Sequence, residues 1–354
     1  MDRKIRIGII GTGGISHMHM VGYTSFENVE VAAACDLNAS RLEAFGSKYG
    51  VKQLYADYNE MLQKEELDGV SICTWNNSHA PIAIAALNAG KNVLCEKPMA
   101  MNVKEAEEML AAAKTSGKLL MIGFVKRFAK ETAICREFID KGYLGDIYYA
   151  KASYLRRCGN PGGWFADSKR SGGGPLIDLG VHVIDQVRYL MGKPKAVAVS
   201  AVTFNNIGMR YDIKGIERYK ASDYSSYCDV EDMASALIRF DNGAALAVDA
   251  SFSLNIKEDS GNLELFGSKA GARLEPKLEI YSQMEDYLVD MSPRYHKSDK
   301  GFDEVFTGET AHFVDCIANG TPCINPAEDG VELMRILEAA YTSAKARKEV
   351  VIGR

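Results

Sequence analysis

Short apolar runs alternate with longer amphipathic stretches through the first third of the chain. The runs "KIRIGII", "VEVAAACD", "DGVSICT", "NVLCEKP" and "KLLMIGF" have the length and β-branched content of buried strands. Between them, "ISHMHMVGYTSF", "ASRLEAFGSKYG", "SHAPIAIAALNAG" and "NVKEAEEMLAAAKTSG" have the spacing of helices. Strands separated by helices of this length predict parallel βαβ units in a doubly wound sheet, closing near Phe124. From Ala150 onward the texture changes. "DIYYAKASYLR", "KAVAVSAVTF", "MASALIRF", "AALAVDASFSL", "GNLELFGS" and "ARLEPKLEIYS" predict half-buried strands joined by turns such as "DNG" and "GSKAG". They predict one open, mainly antiparallel sheet flanked by helices, with "GETAHFVDCIANG" and "EDGVELMRILEAAYTSAKAR" as the last two helices. The expected architecture is α/β over residues 1–124 and α+β over residues 125–354. The tyrosine-rich stretch from Met209 to Tyr227 reads as a long connection, either a lid or a subunit contact.

Composition narrows the class. A chain of 354 residues exceeds the usual single core and supports two domains. A net charge of -5 gives no reason to expect nucleic acid or an anionic membrane as partner. The eight cysteines are scattered with no C-x-x-C pair, and several sit in apolar runs, so reduced thiols in a cytoplasmic compartment are expected. None of the six histidines forms an H-x-x-x-H with carboxylate support, so no metal site is expected. Glycines interrupt the apolar run in "MDRKIRIGII", which argues against a signal peptide, and no stretch is long enough to span a membrane.

Candidate chemistry begins with "GIIGTGGIS". Gly11, Thr12, Gly13, Gly14 and Ile15 follow a predicted strand and open a helix, where backbone N–H groups and the helix dipole favour a pyrophosphate. Ser16 stands where a third Gly or Ala is usual. Asp36 ends the second strand, 25 residues after Gly11, where a carboxylate can accept ribose hydroxyls and would repel a 2′-phosphate. NAD is therefore favoured over NADP, with Arg41 close enough to bear on the choice. The later strands end at Thr74-Trp75-Asn76-Asn77, with His79 beyond, and at Glu96-Lys97-Pro98. Both ends fall on the carboxyl edge of a doubly wound sheet, where such folds bind ligands, and a cis Lys97-Pro98 bond would aim the amine over that edge.

In "SGGGPLIDLGVHVID" a helix can start at Pro175, so that Leu176, Leu179, Val183, Val187 and Leu190 form an apolar stripe. Asp178, His182 and Asp185 project along another face, with Asp178 and His182 one turn apart. Asp185 reads as structural, a partner of Arg188 or of a backbone amide.

Together, "GIIGTGGIS", "CTWNNSHAPIAIAALNAGKNVLCEKPMA" and "GGGPLIDLGVHVID" resemble the Gfo/Idh/MocA oxidoreductases. The resemblance extends through "DVEDMASALIRFDNGAALAVDASF" to the C-terminal helices. It implies a Rossmann domain, a nicotinamide cofactor, a sugar or polyol substrate, and a sheet domain that often mediates assembly, here into a dimer or tetramer. It also implies that Lys97, Asp178 and His182 sit beside substrate. Alcohol oxidation needs a base for the hydroxyl proton while hydride leaves the carbon. His182 is assigned that role and Lys97 orients the hydroxyl, or the two exchange roles. Asp178 then fixes substrate or holds the basic groups in their working protonation state. Arg156, Arg157 and Trp164, between a strand and this helix, are the candidate substrate contacts. The family also includes NAD-dependent glycoside hydrolases acting through transient oxidation, and sugar-sensing regulators without turnover.

Overall fold

The computed structural model describes residues 3–210, 213–296 and 301–353. Contacts divide the chain into two compact units, Met1–Phe128 with Lys297–Val331, and Ala129–His296 with Glu332–Arg354.

The first unit runs β1 (Ile5–Ile10), α1 (Gly14–Tyr23), β2 (Val29–Cys35), α2 (Ala39–Tyr49), β3 (Gln53–Tyr55), α3 (Tyr58–Lys64), β4 (Gly69–Ile72), α4 (Asn76–Asn88), β5 (Asn92–Glu96), α5 (Val103–Ser116) and β6 (Leu120–Gly123). The strands form a parallel sheet in the order β3-β2-β1-β4-β5-β6, the doubly wound arrangement the sequence predicts. Helices flank such a sheet on both faces, so its strands are apolar throughout, and Ile7, Ile9, Val70, Ile72, Val93 and Leu94 are wholly buried. Side chains of Asn38 and Asn102 cap α2 and α5 at their starts. Gly50 and Gly117, both left-handed, end the same helices. The edge strand β3 and the helix α3 are additions to the predicted pattern; a three-residue strand is too short to show a period.

The second unit begins with α6 (Lys130–Asp140), β7 (Ile147–Leu155), α7 (Ser168–Ser171) and a π-helical turn at Leu176–Gly180 that leads into α8 (Val181–Leu190). The strands β8 (Ala196–Phe204), β9 (Met233–Phe240), β10 (Ala245–Ser251), β11 (Ser260–Gly267), β12 (Ala270–Glu275), β13 (Glu279–Met284) and β14 (Tyr287–Met291) follow. The chain ends with α9 (Phe302–Asn319), α10 (Ala327–Ala346) and β15 (Val350–Val351). The sheet order is β14-β13-β12-β11-β7-β10-β9-β8-β15, antiparallel except for the parallel pair β7 and β10. Burial alternates along β8 and β9. Val202 and Phe204 are exposed on the same face of the sheet as Leu237, which lies opposite Ser200.

Residues 125–354 are expected from sequence to fold as one domain, yet α9 packs on α1 in the first unit. The reason is a close helix contact: a Cβ on Gly22 would stand 1.9 Å from Thr310 Oγ1. Phe306 and Phe313 of α9 are buried. Among the described residues no helix is long and apolar enough to cross a membrane.

Gly22→Ala is expected to cost about 1–3 kcal/mol through overpacking, seen as a lower urea midpoint. Adding Thr310→Ala should recover part of that loss. An unchanged midpoint for Gly22→Ala would mean that the two helices are free to separate.

Candidate active site

In the first unit, parallel register brings strand ends to one edge. Ile10 lies beside Cys35 of β2 and Ile72 of β4, and Ile72 lies beside Cys95 of β5. Gly11, Asp36, Cys73 and Glu96 are each the next residue at that edge. Gly11 has φ +89, and a Cβ there would meet the Cys73 carbonyl oxygen at 2.6 Å, so the first turn requires glycine. A Cβ on Gly13 would meet nothing within 4 Å, which leaves the backbone at the start of α1 open to a ligand. Gly14 is exposed and Ile15 half-buried. The first turn of α1 carries no acidic side chain to oppose a phosphate. Ser16 is wholly buried and donates to the Gly13 carbonyl at 2.6 Å, fixing the turn that the third small residue was expected to close. This cradle fits a dinucleotide pyrophosphate.

Asp36 has a second duty. Its Oδ2 accepts from the Thr12 N–H and hydroxyl, each at 2.8 Å, and its Oδ1 accepts from Asn38 N–H at 2.8 Å and Arg41 Nη2 at 3.1 Å. Burial acts to raise its pKa, but the bonds from Asn38 and Thr12 and the Arg41 charge outweigh it and hold the carboxyl below its ordinary value. Asp36 therefore clamps the glycine loop and occupies Arg41, and ribose hydroxyls would share an acceptor that already takes four donors.

At the β4 and β5 ends, Trp75 is exposed, Asn77 is exposed, Thr74 is half-buried and Asn76 is buried. His79 does not face the edge. It is wholly buried, with Nδ1 2.8 Å from the Pro98 carbonyl oxygen and Nε2 3.2 Å from that of Thr74. Burial lowers its pKa against the pull of the two carbonyls, and the neutral ring donates to one of them at a time. The Lys97-Pro98 bond is cis. Glu96, expected among the cofactor contacts, turns its carboxylate inward: Oε1 lies 2.9 Å from His19 Nε2, and Oε2 accepts from the Lys97 N–H at 3.2 Å. The other ring nitrogen of His19 is 3.2 Å from Ser71 Oγ, which also meets the Tyr23 hydroxyl at 2.7 Å. Glu309 brings a further buried carboxylate within 4.8 Å of this group. Lys97 itself is half-buried at the edge.

In the second unit Gly172 ends α7 in the left-handed conformation, φ 84, and Gly173 and Gly174 serve close packing. A Cβ on Gly173 would lie 2.2 Å from the Tyr341 hydroxyl, and one on Gly174 would lie 2.3 Å from the Glu231 carbonyl oxygen. Glu231 anchors the segment, accepting from Gly174 N–H at 2.9 Å, Leu176 N–H at 3.2 Å and the Tyr341 hydroxyl at 2.8 Å. Burial pushes its carboxyl up, against those three bonds. The helix after Pro175 opens with the π turn, so the regular spacing expected for Asp178 and His182 is widened there. Both nevertheless keep partial exposure. From 173 to 188 every residue is buried except Asp178 and His182, which are half-buried. Asp185 is 1% exposed, as a structural residue would be. Arg188 donates from Nε to the Pro194 carbonyl at 2.9 Å.

The candidate substrate contacts differ among themselves. Arg156 lies over the Tyr154 ring, 5.3 Å from its centroid, and Tyr154 packs against the cluster of Leu179, Ala250 and Phe252. Arg157 is exposed and donates to the Lys257 carbonyl at 2.8 Å. Trp164 is half-buried against Phe165, ring centroids 3.9 Å apart. The tyrosine-rich connection, of which Tyr211 and Asp212 lie outside the described residues, packs on the segment Pro161–Trp164. Ala221 N–H donates to the Pro161 carbonyl at 2.9 Å, and Asp223 accepts from Trp164 N–H at 3.3 Å.

Comparison with known proteins identifies the family and the fold. The family model described as the oxidoreductase family's NAD-binding Rossmann fold matches residues 5–124, and that of the family's C-terminal alpha/beta domain matches residues 136–352. The chain belongs to the Gfo/Idh/MocA oxidoreductase family and is an NAD-dependent dehydrogenase. It is 35% identical over 349 residues to D-glucoside 3-dehydrogenase of Escherichia coli (strain K12), covering 98% of this chain and 97% of that one. Myo-inositol 2-dehydrogenase of Thermotoga maritima is 25% identical over 350 residues, covering 98% of both chains. An oxidoreductase domain protein from Kribbella flavida superposes with a TM-score of 0.87 at 27% identity, covering 99% of this chain and 100% of that one.

Asp36→Ala should raise the Kd for NAD at least tenfold, about 1.4 kcal/mol, and narrow the preference against NADP, because it loosens Thr12 and releases Arg41. Fluorescence titration with both cofactors checks this. Unchanged affinity for both would remove Asp36 from the site.

Proposed function

We propose that the chain oxidises a ring hydroxyl of a monosaccharide-sized polyol or glycoside, with Lys97, Asp178 and His182 acting on the reacting alcohol. The observation that carries this reading is the burial pattern of the 173–188 segment: in an otherwise buried helix only Asp178 and His182, the residue types that the chemistry needs, keep partial exposure. Kinship with a glucoside dehydrogenase and an inositol dehydrogenase supports the substrate class.

Bound NAD supplies the hydride acceptor. The chain's residues handle the proton and the geometry. His182 takes the hydroxyl proton as the C–H hydride departs, and Lys97 donates to the oxygen that gains negative charge. Asp178 accepts from a neighbouring hydroxyl or from the protonated imidazole. Arg156, resting on the Tyr154 ring, supplies further donors to a sugar, and Trp164 offers an aromatic face to the ring.

Substituting Lys97→Ala or His182→Ala should lower kcat by 10²-fold or more, the usual size of a general acid–base contribution. NAD affinity should change little. Wild-type turnover in both variants would overturn the assignment.

A second element of the proposal is self-association through the outer face of the nine-stranded sheet. Val202, Phe204 and Leu237 are exposed together there, and such a patch favours a second copy. Sedimentation should show a dimer or tetramer for the wild type and a smaller species for Phe204→Glu. Identical sedimentation of the two proteins would exclude that face.

A further inference from the structure

The last turns of α9 carry a cluster with no part in the dehydrogenase chemistry. His312 and Cys316 are four residues apart on one helix face, with His312 Nε2 3.5 Å from Cys316 Sγ. Gly320 ends the helix in the left-handed conformation, φ +68, and turns the chain back. Cys323 then brings its thiol to the same place, so that the three donor atoms all lie within 4.8 Å of one another.

We propose that His312, Cys316 and Cys323 form a binding site for a thiophilic divalent cation of the zinc class. Zinc bonds of ~2.0–2.1 Å to nitrogen and ~2.3 Å to sulfur place two tetrahedral ligands roughly 3.5 Å apart, the separation found between His312 and Cys316. Two sulfurs and an imidazole favour zinc or cadmium over magnesium or calcium, which take oxygen ligands. The tautomer suits a ligand as well. Ile324 N–H donates to His312 Nε2 at 3.0 Å, so Nε2 is the nitrogen with a lone pair, and a cation would take over that lone pair in place of the N–H. His312 and Cys323 are partly buried, and Cys316 lies deeper between them, so an ion would enter past the first two. Phe128 packs against the imidazole, ring centroids 5.7 Å apart.

The consequence is a brace. The segment after Cys323 is held to β6 and its exit: Ile122 N–H donates to the Asn325 carbonyl at 3.0 Å, and Arg127 bonds the Ile324 carbonyl and pairs with Asp329 at 2.9 Å. An ion on the three side chains would fasten the end of α9 to that segment and raise the stability of the first unit.

The test is titration of the reduced full chain with cadmium alone, following sulfur-to-cadmium charge-transfer absorption. One equivalent should saturate the band, zinc should displace it, and the thermal midpoint should rise. Cys316→Ser, Cys323→Ser and His312→Ala should each weaken binding at least tenfold, while Cys158→Ser should not. Bound zinc should also protect Cys316 and Cys323 of the wild type from alkylation, read by mass spectrometry, which tests the site even where a variant folds poorly. A band that persists in the Cys316→Ser/Cys323→Ser double variant, no saturable band in the wild type, or unprotected thiols would overturn the proposal.

Discussion

The constraint on which the first unit depends is the common direction of six parallel strands. Because they share a direction and a register, the residues just beyond β1, β2, β4 and β5 end at one edge. Backbone groups there have lost their sheet partners and must find others. Gly11 N–H donates to the Cys35 carbonyl at 2.8 Å, and Asp36 takes the N–H groups of Thr12 and Asn38. An NAD-binding edge is thus held in shape by the chain's own hydrogen bonds.

Several polar residues in the chemical motifs serve that purpose. Glu96 and His79 stand beside Lys97-Pro98 in sequence or space, and both turn inward. Glu96 meets His19 from α1, and His79 joins the carbonyls of Thr74 and Pro98. Glu231 does comparable work in the second unit, accepting two N–H groups at the start of the segment that carries Asp178 and His182. A buried carboxylate that receives several donors fixes backbone more firmly than an apolar contact, since removing it leaves those donors unsatisfied. The half-buried Lys97 directly follows Glu96, and the half-buried Asp178 and His182 lie in the segment whose start Glu231 holds.

The regular parts of this fold were legible in the sequence because burial on two faces or on one leaves a period in the chain. The doubly wound sheet and the mainly antiparallel sheet follow from such runs, and the cradle follows from glycines whose spacing has one steric cause. The short β3, the π turn and the return of α9 to the first unit leave no period, being set by a chain edge, one extra residue in a turn and a distant glycine–threonine contact. Side-chain direction at strand ends was equally hidden. Glu96 could face either cofactor or core, and only His19, 77 positions away in sequence, decides. Glu231 and Tyr341 were missed for the same reason; the glycines of "SGGGP" signalled a close approach but not what approaches. His312, Cys316 and Cys323 show no C-x-x-C spacing because the turn at Gly320 joins them.

The central claim is that hydride passes from a sugar or polyol carbon to NAD. Its most direct test is to incubate the purified protein with NAD and inositols, aldoses, glycosides and sugar acids in turn, following reduced nicotinamide. At least one member should reduce NAD in stoichiometric amount, with deuterium on the reacting carbon appearing in the reduced cofactor. Silence across the panel, with free sugar released from an aryl glycoside and no net reduction of NAD, would contradict it.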